Sequence, residues 1–213
     1  MARIVLIGGH GKIALQLARI LTDRGDEVSS VFRNPDHSDD VAATGAKPVL
    51  ADIEQLDTTA LAGLLTGHDA VVFSAGAGGG NPERTYAVDR DAAIRVIDAA
   101  ARAGIKRFVM VSYFGAGPDH GVPQDNPFFA YAEAKAAADA HLRDSELDWT
   151  VLGPGRLTPE PATGRIAVGQ GKGEISRADV ALVAAAVLAD DSTIRRTIEF
   201  NNGDIPIAQA LAG

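Results

Sequence analysis

A glycine-rich turn follows an apolar run at the start of this 213-residue chain. The run at residues 4–7 leads into Gly-Gly-His-Gly-Lys-Ile-Ala at 8–14. Gly8 can take the backbone angles of a tight turn, Gly11 lets the chain approach a phosphate closely, and Ala14 lets helix and strand pack. The N–H groups and positive end of a helix beginning near Gly11 then face an anion. The pattern predicts a pyrophosphate site; a tight strand-to-helix turn without a ligand is the simpler alternative.

Short apolar segments alternate with helical patterns over about the first 150 residues. Strands are expected at 3–7, 27–32, 47–51, 69–74, 107–112 and 149–152, and helices at 11–24, 39–43, 58–65, 83–103 and 125–144. This alternation indicates βαβ units and a parallel sheet covered by helices on both faces. With right-handed crossovers, the fold class is α/β with a doubly wound parallel sheet.

The rhythm changes after the sixth strand. Residues 154–173 are rich in Gly and Pro, and we interpret them as loop with a short strand near 165–168. An apolar helix at 177–189 and a last strand at 197–201 are expected to follow.

The composition fits one globular domain. With 46% hydrophobic residues, a chain of this length can bury a full core, and it has no linker composition or repeat. We therefore predict one domain over 1–213, in which 154–213 forms a small elaboration on the substrate side. The net charge of −8 argues against a nucleic-acid or anionic-membrane partner.

Several kinds of site are excluded or disfavoured by composition. The chain has no cysteine, which excludes disulfides, thiolate nucleophiles and cysteine-based metal sites. The five histidines are scattered, without a helical pair at ligand spacing, so we expect no metal. We find no signal peptide and no apolar stretch of the roughly 18 residues that a membrane span needs, and we expect a cytoplasmic protein.

The end of the second strand bears on the choice of dinucleotide. In dinucleotide-binding sheets this position lies beside the adenosine ribose, where a carboxylate bonds the 2′-hydroxyl and an arginine accepts a 2′-phosphate. Here the strand is followed by Arg33, whose guanidinium can fork onto a phosphate, and Asn34 adds a donor. His10 and Lys12 can assist. We predict NADP, with NADPH preferred over NADH; a solvated Arg33 without a ligand is the alternative.

Two further strand ends provide candidate cofactor contacts. Asp52 and Ile53 follow the third strand, where the carboxylate can accept from the adenine amino group; an N-cap role for Asp52 is an equal alternative. The small residues 74–76 end the fourth strand and leave room for the cofactor, unless they are only a connector. The candidate cofactor-binding residues lie in the glycine turn or at strand ends: Gly8, Gly9, His10, Gly11, Lys12, Ile13, Arg33, Asn34, Asp52, Ile53, Ser74, Ala75 and Gly76.

A candidate catalytic set follows from residue spacing. Tyr131 and Lys135 are four apart on an expected helix and project from one face, and Ser112 ends the fifth strand at the ligand-binding edge. This is the spacing of a carbonyl reductase, in which Tyr131 donates a proton. Lys135 would lower the pKa of that phenol from about 10 and bond the nicotinamide ribose, while Ser112 would hold the carbonyl oxygen. Ordinary structural roles remain the alternative: Tyr131 as a half-buried aromatic, Ser112 as a strand-end hydroxyl.

Taken together, these motifs resemble those of atypical members of the short-chain dehydrogenase/reductase superfamily, in the NAD(P)-binding group related to NmrA-like proteins and biliverdin/flavin reductases. The resemblance spans about 1–158; besides the glycine turn and the Tyr131/Lys135 pair it rests on 31–35, 51–52, 108–112 and 147–155. It implies a Rossmann fold and a nicotinamide cofactor, bound also by Lys135, and it places Pro154 and Gly155 beside the nicotinamide.

The chain departs from that family at two positions. The fourth strand ends Ser-Ala-Gly at 74–76, where core members have Asn-Asn-Ala-Gly, a difference that concerns the proton relay. Gly153 stands where relatives often carry Arg, a difference that concerns substrate handling.

The leading hypothesis is an NADP(H)-dependent oxidoreductase that reduces a small carbonyl, quinone or similar acceptor by hydride transfer. An NADP-sensing regulatory protein without turnover is one alternative, and a nicotinamide-dependent epimerase or isomerase is another. The small-molecule substrate is expected between loops 113–127 and 154–176, in a monomer or homodimer.

Overall fold

A computed structural model describes residues 1–78 and 80–212. The first part of the chain forms these elements: β1 (Arg3–Ile7), α1 (Lys12–Asp23), β2 (Glu27–Phe32), α2 (Ser38–Ala42), β3 (Lys47–Leu50), α3 (Thr58–Leu65), β4 (Ala70–Phe73) and α4 (Pro82–Thr85). A π-helical segment (Tyr86–Ala92) then leads into these elements: α5 (Ala93–Arg102), β5 (Arg107–Val111), α6 (Phe129–Arg143), β6 (Asp148–Pro154), β7 (Arg156–Thr158), β8 (Arg165–Val168), β9 (Glu174–Ser176), α7 (Arg177–Leu188), β10 (Arg196–Asn202), β11 (Ile205–Pro206) and α8 (Ile207–Leu211).

The central sheet has nine strands in the order β11-β8-β10-β6-β5-β4-β1-β2-β3. The seven strands from β10 to β3 are parallel, and β8 and β11 extend the sheet in antiparallel pairing. The chain moves outward from β1 to β3 and then returns to β4 on the other side of β1, so the direction of winding reverses between β1 and β4. The expected doubly wound α/β sheet in a single domain is confirmed, and the crevice at this reversal is where such sheets bind ligands.

Two apolar layers cover the sheet. Leu17 and Leu21 of α1 pack with α7 against one face, and Leu61, Val96 and Leu142 from α3, α5 and α6 pack against the other. The β1 and β4 strands are buried on both faces, which explains their continuous apolar sequences. Within the described residues, none of the helices combines the length and hydropathy needed to span a bilayer.

The helix that carries the candidate catalytic pair is shorter than expected. We expected it at 125–144, but it begins at Phe129. Pro127 cannot donate a backbone hydrogen bond, and the Asn126 side chain instead closes a turn by accepting from the Phe128 amide at 2.9 Å.

Two other segments also differ from the expectation. The helix expected at 83–103 is interrupted, because α4 and α5 are joined through the π-helical segment. In the stretch 154–173 the strand expected at 165–168 is confirmed as β8, but β7 was not expected, and it pairs with β9 in a separate two-stranded sheet. Strands of three or four residues are too short to give a clear alternating pattern. Other element bounds shift by one or two residues.

A fully buried carboxylate fixes the segment after β7. Asp179, in the first turn of α7, accepts hydrogen bonds from the amides of Thr163 and Gly164 at 2.8–3.0 Å. The hydroxyls of Thr163 and Ser176 also donate to it, at 3.2 and 2.9 Å. This single side chain therefore ties the loop before β8 to the start of α7.

We expect Asp179→Ala to lower the free energy of unfolding by about 3 kcal/mol, because it leaves the buried Ser176 hydroxyl and the amides of Thr163 and Gly164 without their shared acceptor. Asp57→Ala is the matched control, since it removes an exposed carboxylate that caps α3 through one bond and should cost about 1 kcal/mol. Urea unfolding of both variants measures the difference, and equal losses would contradict the anchoring role of Asp179.

Candidate functional site

Protein packing requires two glycines of the turn after β1. Gly8 has a φ of +84°, and a Cβ built there would lie 2.6 Å from the Ala75 Cα. A Cβ at Gly9 would lie 2.6 Å from the Cβ of Ser30. Gly11 is the N-cap of α1, which has no side-chain cap and no acidic residue in its first turn. The amino end of α1 therefore keeps free N–H groups for an anion.

A cavity of about 390 Å³, the first cavity, opens beside this turn. Ten of the thirteen candidate cofactor residues line it: Gly8, His10, Gly11, Arg33, Asn34, Asp52, Ile53, Ser74, Ala75 and Gly76. The other three do not: Gly9 packs on Ser30, Lys12 is exposed, and Ile13 lies in the core. The uncapped helix, the close-packed glycines and the cavity fit a bound pyrophosphate.

Several polar side chains of the first cavity also have local structural partners. The Asn34 side chain accepts from the Asp36 amide at 3.1 Å, and Asp52 accepts from the Glu54 amide at 3.0 Å. Asp52 thus closes a local turn and does not cap α3, a role that belongs to Asp57. The His10 ring contacts Asp40 at 2.9 Å and stacks on His37, with ring centroids 3.5 Å apart. In the part of the chain that the structure describes, no cluster of three or more metal-ligating side chains occurs.

The candidate catalytic lysine is fully buried. Lys135 Nζ donates to the Val111 carbonyl at 2.9 Å, lies 3.4 Å from the Met110 sulfur, and stands 5.7 Å from the Phe73 ring centroid. Burial raises the pKa of both Asp89 and Asp139, and the charge of Lys135 opposes that rise in each. The structure therefore places one buried ammonium with two buried carboxylates that sequence reasoning missed.

Ser112 does not stand free at the end of β5. Its hydroxyl donates to Asp139 Oδ2 at 2.5 Å, and both side chains are buried. The other carboxylate oxygen of Asp139 has no hydrogen-bond partner among the described residues. With its proton held by Asp139, Ser112 has lone pairs left to present but no hydrogen, which differs from the expected role of donating to a carbonyl oxygen.

The pKa of Tyr131 moves in the opposite direction from the one we expected. Burial raises it well above its usual range, and the carboxylates of Asp89 and Asp139 add to the rise. The expectation that Lys135 lowers this pKa is wrong, because burial disfavours the phenolate and the two acids raise the pKa further. Tyr131 is therefore a neutral phenol over the physiological pH range, which is the protonated state that a proton donor needs.

Two more cavities continue from the first along the same edge. The second cavity, of about 400 Å³, shares Gly76 and Ala77 with the first and includes Asp89. The third cavity, of about 520 Å³, shares Phe128 and Tyr131 with the second. It also contains five other residues that matter here: Ser112, Tyr113, Pro154, Gly155 and Lys172. Tyr131 thus stands where the second and third cavities meet.

The glycine after β6 is required by packing. A Cβ at Gly155 would lie 2.5 Å from the Gly173 carbonyl oxygen and would clash with Asn201. Gly155 and Pro154 line the third cavity and not the first, so they lie with Ser112 and Tyr131 at the far end of the cavity series.

Comparison with known proteins agrees with this geometry. The sequence profile of a family described as NAD(P)H-binding matches residues 8–191. The chain belongs to the NAD(P)H-binding family. This confirms the resemblance to the NAD(P)-binding, atypical short-chain dehydrogenase/reductase group and establishes a nicotinamide cofactor as the class of ligand.

Two solved structures and one curated relative are similar over nearly the whole chain. YhfK of Bacillus subtilis (strain 168), described as an uncharacterised sugar epimerase, is 37% identical over 214 residues, with 98% of each chain covered. A Bacillus halodurans protein, provisionally described as an NAD-dependent epimerase/dehydratase, is 34% identical with a TM-score of 0.91, covering 100% of this chain and 99% of that one. The Lactococcus lactis oxidoreductase ylbE is 27% identical with a TM-score of 0.88, covering 99% and 95%.

The buried state of Asp139 predicts an unusual pH dependence of stability. Since burial raises its pKa, the folded protein holds this proton to higher pH than the unfolded chain, where it titrates near ~3.9. The wild type therefore loses stability as the pH rises from about 4 towards neutrality, and Asp139→Asn avoids that loss. Urea unfolding at several pH values should show that the free energy of unfolding of Asp139→Asn rises relative to that of the wild type over this range.

Asp69→Asn provides a control of opposite sign. The side-chain hydrogen bond from Arg3 lowers the pKa of Asp69, so the wild type gains stability as the pH rises from the acid range to about 5. The free energy of unfolding of Asp69→Asn should therefore fall relative to that of the wild type over that pH interval. A constant difference between wild type and Asp139→Asn from pH 4 to 7 would contradict a raised pKa of the buried Asp139 carboxyl group.

Proposed function

We propose that this protein is an NADPH-dependent reductase of a small carbonyl, quinone or similar acceptor. The observation that carries the proposal is the position of Tyr131, a neutral phenol at the meeting point of two cavities, one of which continues to the glycine turn. A protonated donor beside a dinucleotide groove suits a reaction in which an acceptor gains a hydride and a proton.

The cofactor would be held along the cavity series. The free amides at the start of α1 would bind the pyrophosphate, and the side chains of Arg33 and Asn34 in the first cavity would bind the 2′-phosphate of NADP. When bound, the reduced nicotinamide supplies a hydride. Pro154 and Gly155, beside the third cavity, support the nicotinamide end.

The chain's own residues would handle the proton. Tyr131 donates its phenolic proton to the oxygen that becomes negative in the acceptor. Lys135, one helical turn after Tyr131, opposes the charges of Asp89 and Asp139, the two carboxyl groups that raise the pKa of the phenol. Ser112 is oriented by Asp139, so its lone pairs can accept a hydrogen bond only from a hydroxyl or N–H group elsewhere on the acceptor molecule.

The substrate would occupy the third cavity. Tyr113, Phe128 and Tyr131 form an aromatic wall there, with ring centroids 5.1–5.6 Å apart. Gly155 and Lys172 come from the segment after β6, which supports 154–213 as the substrate-side elaboration of the single domain. The cavity volume of about 520 Å³ favours a small acceptor.

An epimerase or isomerase that recycles its nicotinamide is the second candidate. Two relatives that match nearly the full chain are described as epimerases or as an epimerase/dehydratase. Such a protein retains its dinucleotide through purification and shows no net oxidation of NADPH, whereas a reductase consumes NADPH with each turnover.

Tyr131→Phe should lower kcat with NADPH and a panel of quinones and flavins by about 10²–10⁴-fold, because it removes the proton donor. The dissociation constant for NADPH, measured by calorimetry, should stay within about twofold, since the phenol is remote from the first cavity. Tyr113→Phe removes the neighbouring phenol of the same cavity and should lose less than about tenfold in kcat. Full activity in Tyr131→Phe would exclude a direct proton-donor role.

Arg33→Ala should abolish the preference for NADPH over NADH. Because the variant has no guanidinium to bind the 2′-phosphate in the first cavity, the ratio of the two affinities should fall by about 10–100-fold. Arg19→Ala, which removes an exposed arginine on α1 outside the first cavity, should leave the ratio unchanged. Calorimetric titration with both nucleotides measures this ratio. An unchanged ratio in Arg33→Ala would mean that Arg33 does not bind the 2′-phosphate.

A further inference from the structure

Three charged side chains, two from loops and one from the short helix α4, meet at the mouth of the first cavity. Glu54 Oε1, from the loop between β3 and α3, accepts from Arg33 Nη1 at 3.0 Å and from Arg84 Nε at 3.3 Å. Arg84 Nη1 also donates to the Ala77 carbonyl at 2.9 Å. All three side chains line the cavity, and one carboxylate is shared by two arginines.

Glu54 is the fixed member of this group. Its amide is held by Asp52, its carbonyl accepts from Arg95 at 3.2 Å, and its side chain is 18% exposed. The Arg33 side chain is 50% exposed and has its ion pair with Glu54. A ligand group arriving at this mouth therefore meets a carboxylate that stays in place and a guanidinium that can turn towards it or away.

The two charges act in opposite directions on the two nucleotides. A carboxylate accepts a hydrogen bond from the ribose 2′-hydroxyl of NADH, whereas it competes with the 2′-phosphate of NADPH for the same guanidinium. Sequence reasoning looked for this carboxylate at the end of β2 and found Arg33. The structure supplies a carboxylate from the next loop along the sheet.

We propose that Glu54 helps to determine the specificity for NADPH against NADH. This inference rests on the proposed binding of the adenosine end of the nucleotide in the first cavity. By pairing with Arg33 it narrows the preference for NADPH over NADH. The wild-type protein then shows a smaller ratio of NADPH to NADH affinity than it would show if Arg33 acted without Glu54. Arg84 acts as the anchor that keeps the Glu54 carboxylate at the mouth.

The test is calorimetric titration of Glu54→Gln with NADPH and NADH. Glutamine keeps the shape and one acceptor oxygen but loses the charge. The ratio of NADPH to NADH affinity should rise about fivefold over the wild type, as expected for release of a partly exposed ion pair. Glu83→Gln is the matched control, since it removes an exposed carboxylate one residue from Arg84 and outside the cavity, and it should leave the ratio unchanged.

Two further arms locate the effect. Adenosine 2′,5′-bisphosphate should bind Glu54→Gln more tightly than it binds the wild type, while adenosine 5′-monophosphate should not. In an Arg33→Ala background, Glu54→Gln should raise the nucleotide ratio less than it does with Arg33 present, because the ion pair is already gone and only the direct contact of Glu54 with the ribose remains.

The outcomes separate this inference from the proposed function. If the wild type binds neither nucleotide, the proposed reductase fails and the inference fails with it. If both nucleotides bind but Glu54→Gln shifts their affinities by the same factor, the inference alone is overturned. A fivefold rise that persists without Arg33 would likewise overturn the pairing of Glu54 and Arg33 as its cause.

Discussion

A single buried ammonium organises the end of the sheet where chemistry is expected. Lys135 is 1% exposed and has to be compensated by groups that come from other elements. The Val111 carbonyl ties it to β5, and the carboxylates of Asp89 and Asp139 supply the opposing charge. Because these contacts fix how α6 lies on the sheet, they also fix Tyr131, one helical turn earlier on the same face. Because Tyr131 lines the third cavity, the contacts that position α6 also position one wall of that cavity.

The same balance explains why the tyrosine differs from a simple Tyr–Lys pair. A lone lysine near a phenol lowers its pKa, but here two acids offset the lysine, and burial disfavours the phenolate. The phenol at this position keeps its proton at neutral pH, so it is available as a donor, although a weaker acid than a free tyrosine, and it is poorly suited to removing a proton. An enzyme that runs its reaction through oxidation first, as an epimerase does, needs a base at this point. The raised pKa of Tyr131 is the physical ground on which we propose a reductase in preference to an epimerase.

Sequence patterns predicted the layers of the fold and the residues at the ligand-binding edge of the sheet. They were a poorer guide to the hydrogen-bond and ion-pair partners of those residues. The glycine turn, the order of βαβ units and the positions of Arg33 and Tyr131 follow from periodicity and spacing, which are local properties of the chain. Asp139 was within reach of the same reasoning, since it lies four residues after Lys135 on one helix face. Asp89 was not, because the π-helical segment at Tyr86–Ala92 shifts which residues point inward, and no sequence signal marks such a segment.

The partners of Arg33 show the same limit at the opposite end of the cavity series. Its place after β2 could be predicted, but its partner Glu54 lies in the loop between β3 and α3 and is held by Arg84 of α4, and only the folded sheet brings these elements together. A residue type at a strand end is therefore a weaker guide to nucleotide preference than the charges that surround it. Both ends of the groove combine a cation predicted from sequence with a carboxylate found only in the fold. In each case the carboxylate offsets the charge of the cation. Asp89 and Asp139 offset the charge of Lys135, and Glu54 competes with a nucleotide phosphate for Arg33.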